Sequence, residues 1–267
     1  MFVARNIIFG SSGPLFNWQP LRDGMTPKSG AITFARASSG TVYDPVTGAV
    51  TLIAPNIGRI ESDGLLIEPQ RTNYFINSQN LAASWSTSVG ASIGGTSSGG
   101  LTTMSSALHG ANSASAIYQG LPSLTGTVCV SALSRNSSYR LSIGVNPSTQ
   151  IYSPLLSIGS IAEYRELVYT TAGTIGNAGP FNRAAGNGFG DFGCLQVEIG
   201  AYRTSYIPTA ASAATRSADV CTLTIPAGVS SILITYGDNT TATVSVTPGG
   251  TYVLPTTPKK YKSITSV

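Results

Sequence analysis

Charge is what this sequence has least of. Asp, Glu, Lys and Arg make up 10% of its 267 residues, far below the roughly one quarter of an ordinary globular domain. Four lysines and five glutamates leave few strong helix formers. One histidine and three cysteines, none at ligand spacing, exclude a zinc site. A Ser-His-Asp triad would have to use His109, and no Gly-x-Ser-x-Gly elbow is present, so His109 is read as a loop residue without a chemical role. There is no phosphate loop and no dinucleotide fingerprint. No cofactor and no metal are expected, and without an Asp-rich loop no calcium is assigned.

The remaining charge is equally uninformative about chemistry. A net charge of +4 and a pI near 9.0 are too weak to imply nucleic acid, and the arginines stand singly along the chain. Lys259-Lys260-Tyr261-Lys262 is the one concentration of positive charge, expected to be a solvated end. The apolar start, Met1 to Phe9, is short, is interrupted by Arg5 and lacks a cleavage pattern. No run reaches membrane length, so no membrane insertion is expected. Glycan hydrolysis usually takes two carboxylates across the scissile bond. None of the 11 acids lies between Glu68 and Glu163, and the three-residue spacing of Glu163 and Glu166 puts them on opposite faces of a strand. Asp63, Asp191 and Glu198 could meet only through the fold. The expectation is no enzyme and no catalytic residue.

What the sequence does contain is glycine (30 residues) and, for about a quarter of its length, serine and threonine. With Val, Ile and Tyr these suit strands and tight turns, and the chain reads as all-β. Residues 1–62 read as a β-rich N-terminal lead-in, with a turn at Asp44-Pro45-Val46-Thr47-Gly48. Residues 63–218 read as a jelly-roll β-sandwich. Strand patterns begin at Ala116, Thr127, Tyr139 and Tyr164, and the Gly/Ser/Thr-rich stretch from Ser84 to Ser106 is expected to be a strand-plus-loop excursion. Residues 219–267 read as a small C-terminal β-meander of three strands: Ser231–Tyr236, Thr241–Val246 and Thr251–Leu254. Cys129 and Cys194 fall in strand patterns and are expected to be small buried hydrophobes, and an unpaired cysteine fits a reducing compartment.

Two stretches stand out. Gly64-Leu-Leu-Ile-Glu-Pro-Gln-Arg-Thr-Asn73 alternates and then stops at Pro69. Gln196-Val-Glu-Ile-Gly-Ala-Tyr-Arg-Thr-Ser-Tyr-Ile-Pro-Thr209 begins as a half-buried strand, with Leu195, Val197 and Ile199 on one face and Gln196 and Glu198 on the other. With Ile32-Thr-Phe-Ala-Arg-Ala-Ser-Ser-Gly-Thr-Val-Tyr-Asp44 they resemble the lead-in, opening strand and closing strand of a module. That module is found in structural proteins of tailed bacteriophages and in carbohydrate-binding-like jelly rolls. The resemblance covers roughly residues 30 to 218. It implies a virion protein, assembled in the bacterial cytoplasm. Such a protein would be a non-catalytic binding component of the tail or fibre apparatus that contacts other virion proteins and host-surface polysaccharide. A capsid decoration protein is the alternative, and a glycan-degrading tail enzyme a third. A homo-oligomer, a trimer by analogy with phage appendages, is implied too. The charge-poor surface agrees equally with subunit contacts and with a surface kept wet by hydroxyls and amides.

Sugars stack on exposed aromatic faces while polar side chains fix their hydroxyls. The candidate platforms are Trp85, Tyr118, Tyr139, Tyr152 and Phe189, with Trp85 favoured by its Ser/Thr-rich surroundings. Each is equally a residue type that fills cores.

Overall fold

The computed structural model describes residues 16–25, 31–88, 91–97, 104–109, 115–146, 149–182 and 189–267. The described chain is almost entirely β; its one helix there is the single turn Pro20–Asp23. No helix among the described residues is long and apolar enough to cross a membrane. The chain forms two compact units: residues 1–34, 62–67 and 220–267 make one, residues 35–61 and 68–219 the other. The N-terminal lead-in is thus shared between them.

In the smaller unit the hairpin Ser231–Tyr236/Thr241–Ser245 pairs Ile232 with Val244 and Ile234 with Ala242. Its turn uses Asn239 at φ 64°, a conformation Asn tolerates well. The third C-terminal strand departs from a simple meander. Thr251–Val253 pairs with Val220–Thr224, while Tyr261–Ser266 takes the free side of Ser231–Tyr236. The alternation of Val220–Thr224 explains this: Cys221 and Leu223 are both fully buried and give Thr251–Val253 an apolar-backed partner. Gly64 is required by close approach. It sits at φ +141°, and a Cβ there would lie 2.4 Å from the Tyr261 carbonyl oxygen. The basic tail is not simply solvated. Lys260 Nζ reaches Asp63 at 2.6 Å, Lys259 Nζ reaches Asp238 at 2.9 Å, and Lys262 donates to Asn239.

The larger unit is built on two very long strands, Ser115–Arg135 and Glu163–Asn182. Strands of this length stay in one sheet only by bending. Their pairing slips between Gly120 and Leu124 and again before Gly126. Beyond those slips the second half of Ser115–Arg135 pairs with Phe189–Ile199, while its first half meets Ser86–Thr87. Cys194, at φ 48°, occupies a further slip opposite Ser131 and Leu133. The sheet order is Thr149–Tyr152, Ser137–Val145, Glu163–Asn182, Ser115–Arg135, Phe189–Ile199, Met104–His109, Ala91–Ser97. This curled β architecture encloses a core that includes Ile117, Val128, Val130, Leu141, Ile143 and Ile175. The excursion through the Ser/Thr-rich stretch contributes its short strands, and His109 ends one of them rather than lying in a loop. The Asp44–Gly48 turn forms as the sequence predicts: the Asp44 carboxylate accepts from Val46 N and Thr47 Oγ1, and Gly48 has φ 71°.

Candidate functional site

The signature stretches meet in a buried charge cluster. Arg59 donates to Glu68 at 2.6 Å and to Asp219 and Ser205, and Arg216 reaches Glu68 at 3.2 Å. Arg36 reaches Asp219 at 3.3 Å and also staples the carbonyls of Ser38, Ala54 and Ile57. All five charged groups are almost wholly buried. Burial would raise the Glu68 pKa, but Arg59 and Arg216 outweigh it and hold this carboxyl below its ordinary range. Burial likewise opposes the Arg59 charge, and Glu68 and Asp219 restore it. Arg216 also lines a surface cleft with Ser38, Leu52, Pro208 and Thr215, yet its guanidinium is engaged by Glu68 and the Pro69 carbonyl. The arrangement is a clamp, because every carboxylate in it is tied to arginine and none faces open space.

The neighbouring strand also differs from its sequence reading. Leu195 and Val197 enter the core as expected, but Gln196 and Glu198 on the opposite face are buried too. That face is covered by the Thr204–Ile207 segment. Thr204 donates N–H and hydroxyl to Glu198, and Ile207 N–H donates to Gln196. Burial raises the Glu198 pKa, and the Thr204 bonds offset only part of the rise. Asn73 completes the closure, bonding the carbonyls of Leu195 and Ile207 and accepting from Phe75 and Val197.

The remaining acids that only the fold could bring together have their own partners. Asp191 pairs with Arg135 at 2.9 Å, and Asp63 with Lys260. Glu166 accepts from the Arg203 N–H. The three thiols are buried; burial lifts Cys194 to about 12 and Cys129 higher still, so neither is a ready nucleophile. Among the described residues no cluster of His, Cys, Asp or Glu is placed to hold a metal.

The aromatic candidates separate into two groups. Trp85 packs on Phe75, ring centroids 4.8 Å apart, and Tyr139 packs on Phe192 at 4.6 Å with its hydroxyl on Ser134. Both belong to the core. The polar sequence around Trp85 misled because Leu81, Ile117 and Phe75, distant or out of pattern, supply its apolar surroundings. Phe189 opens the strand Phe189–Ile199, and its side chain lies outside the described residues.

Tyr118 and Tyr152 are brought to one surface. In Ser137–Val145, Leu141, Ile143 and Val145 point into the core, so Arg140, Ser142 and Gly144 point away from it. Directly opposed residues of an antiparallel pair share a face. Tyr152 lies opposite Ser142, Ser142 opposite Gly179, and the Ala116–Phe181 and Gln119–Ala178 pairs set Tyr118 opposite Gly179. The row Tyr152, Ser142, Gly179, Tyr118 therefore crosses four strands on the outward face. At about 4.8 Å per strand the two tyrosines stand roughly 14 Å apart. Phe181, not singled out from the sequence, packs against Tyr152 with the ring centroids 4.7 Å apart and the planes tilted by 41°. All three rings are half-buried. In the adjacent row Gln150, Gly144, Asn177 and Gly120 are opposed, with Gln150 donating to Asn177 at 3.5 Å. A Cβ on Gly120 would meet nothing within 4 Å, so the floor there is open. Gly179 is glycine by necessity, since a Cβ would sit 2.2 Å from the Ile117 carbonyl oxygen. The result is a shallow trough whose open floor is Gly120: Tyr118 stands beside it, the Asn177 side chain covers Gly144, and Ser142 and Gly179, between Tyr118 and the Tyr152/Phe181 pair, are buried.

No protein-family model matches this chain, and no curated protein matches it. Among solved structures the chain is similar to the CBM22-1 xylan-binding domain from Paenibacillus barcinonensis Xyn10C, at 6% sequence identity and a TM-score of 0.38, over 50% of this chain and 94% of that one.

Proposed function

We propose that this is a non-catalytic glycan-binding protein and that the trough between Tyr118 and the Tyr152/Phe181 pair is its binding face. The observation that carries the reading is the register that sets Tyr118, Gly179, Ser142 and Tyr152 in one outward row. The half-buried rings of Tyr118, Tyr152 and Phe181 give sugar rings apolar faces to lie on, the open space over Gly120 leaves room beside Tyr118, and Asn177 and Gln150 offer donors and acceptors for hydroxyls. The main core lies on the opposite side of these strands. Binding without cleavage is supported by the state of the acids: Glu68 and Asp219 are clamped by arginine, and Glu198 is covered.

The place of this activity follows the three sequence stretches that resemble phage tail modules. We place the protein in a virion, on the tail or fibre apparatus, where a passive glycan-binding face would serve attachment to a host surface.

The direct test is titration of the purified chain against a panel of bacterial surface and plant cell-wall polysaccharides, with product analysis in parallel. Binding by the parent chain that falls at least tenfold in Tyr118→Ala and in Tyr152→Ala, without release of oligosaccharide, is expected. Failure to retain any polysaccharide, or retention indifferent to both substitutions, removes the reading.

A further inference from the structure

We infer that the glycan taken by this trough carries carboxylates, and that Arg140 is the residue that reads them. The inference rests on the trough being the glycan-binding face. Arg140 lies opposite Phe181, one step along its strand from Ser142, so it shares the outward face with both aromatic sides of the trough. Among the described arginines only Arg140 and Arg203 have no carboxylate within salt-bridge reach. Arg203 is otherwise engaged, with its guanidinium 4.2 Å above the Tyr164 ring. Arg140 uses one nitrogen, Nη1, to donate to the Ser153 carbonyl at 2.8 Å. That bond fixes the planar group without neutralising it.

A guanidinium has five N–H donors in a rigid fork, so several remain after Ser153 is served. Two parallel donors match a carboxylate, and such charge-assisted bonds are the strong ones. Charge complementarity points the same way. From Ala116 to Gly120, Asn177 to Phe181, Arg140 to Gly144 and Gln150 to Tyr152 there is not one Asp or Glu. Within these described segments a sugar carboxylate would meet one positive centre, Arg140, and no acid. In a chain this short of charge, an arginine left without an acid beside a row of rings is a selective feature. A uronate or sialate polymer supplies both requirements, a pyranose face for the tyrosines and a carboxylate for Arg140.

The experiment compares polygalacturonate, alginate and polysialate with the same polymers after reduction of their carboxyl groups to alcohols, which leaves the ring skeleton in place. The parent chain is expected to bind at least one acidic polymer about tenfold or more tighter than its reduced form. The preference should weaken with added salt. Arg140→Gln should lose the preference while keeping binding to the reduced polymer, and Arg140→Lys should restore it only partly because the fork is gone. Melting temperatures of the variants verify folding. Equal binding of acidic and reduced polymers, or an Arg140→Gln chain that still discriminates, overturns the role of Arg140 and leaves the trough standing. If no polymer of either kind binds, the trough itself is refuted.

Discussion

Asp219 donates its backbone N–H to the Glu68 carbonyl at 2.9 Å and accepts the Glu68 N–H on its carboxylate at 2.8 Å. Residues 151 positions apart are thereby locked as closely as neighbours in a ladder. Arg59 then bridges both acids, and Arg36 and Arg216 close the cluster from either side. Ordinary hydrophobic burial is non-directional. This clamp instead fixes one arrangement of chain crossings in a protein whose surface offers few charges to specify anything.

Breaking the clamp from one side strands a buried charge. Glu68→Gln is expected to lower unfolding free energy by about 3–5 kcal/mol at neutral pH. Arg59→Met should cost a similar amount. Because the two groups touch, the double variant should lose clearly less than the sum of the singles. Urea denaturation of the four proteins measures this, and strict additivity would show that Glu68 and Arg59 do not act as a unit.

Two buried glutamates carry opposite pH dependence. The Glu68 pKa is held below its unfolded value of about 4.3. Its contribution is therefore present above that pH and lost as the pH falls through the folded value. The Glu198 pKa is raised by burial. Its contribution is present below about 4.3 and lost as the pH rises through the folded value. Relative to Glu198→Gln, the parent should gain stability as the pH falls from 8 towards 4; relative to Glu68→Gln it should lose its advantage below 4. Paired urea curves across this range report both slopes.

The all-β class, the Asp44 turn and the Ser231–Tyr236 hairpin were legible because each rests on local signals: alternation, turn residues, scarce helix formers. The buried polar face of Phe189–Ile199 was not, because Gln196 and Glu198 look solvent-facing until Thr204 and Ile207 fold over them. The clamp was invisible for the same reason. Arg36, Arg59, Glu68, Arg216 and Asp219 are single charges with no local pattern. Of the trough, its tyrosines could be proposed from residue type, but only register tells Tyr118 and Tyr152 from Tyr139. Tyr118 follows core-facing Ile117, and Tyr139 sits in phase with core-facing Leu141 and Ile143. Phe181 lacked any signal, since Gly176, Gly179 and Pro180 obscure the strand around it.

The division of aromatics has a stability signature. Trp85→Ala and Tyr139→Ala remove core rings and should each cost about 3–5 kcal/mol. Tyr139→Phe leaves the buried Ser134 hydroxyl without its partner and should cost roughly 1–3 kcal/mol. Tyr118→Ala, on the outward face, should cost much less while weakening glycan binding. Thermal melts of this series would contradict the assignment if Tyr118→Ala proved as damaging as Tyr139→Ala.

The two glycines of the trough should respond in opposite ways. At Gly120 there is open space above the Cα and no positive φ, so Gly120→Leu should fold with stability within about 1 kcal/mol of the parent, gaining some backbone rigidity. Its side chain would then stand on the floor beside Tyr118 and exclude a sugar ring. At Gly179 a Cβ would collide with the Ile117 carbonyl oxygen at 2.2 Å, against backbone that cannot give way without parting two long strands. Gly179→Ala should therefore unfold several degrees earlier, whatever it does to binding. Melting and polysaccharide titration on the same two variants separate these effects: a Gly120→Leu chain that is stable and still binds as the parent does would mean that the ligand does not lie over this floor.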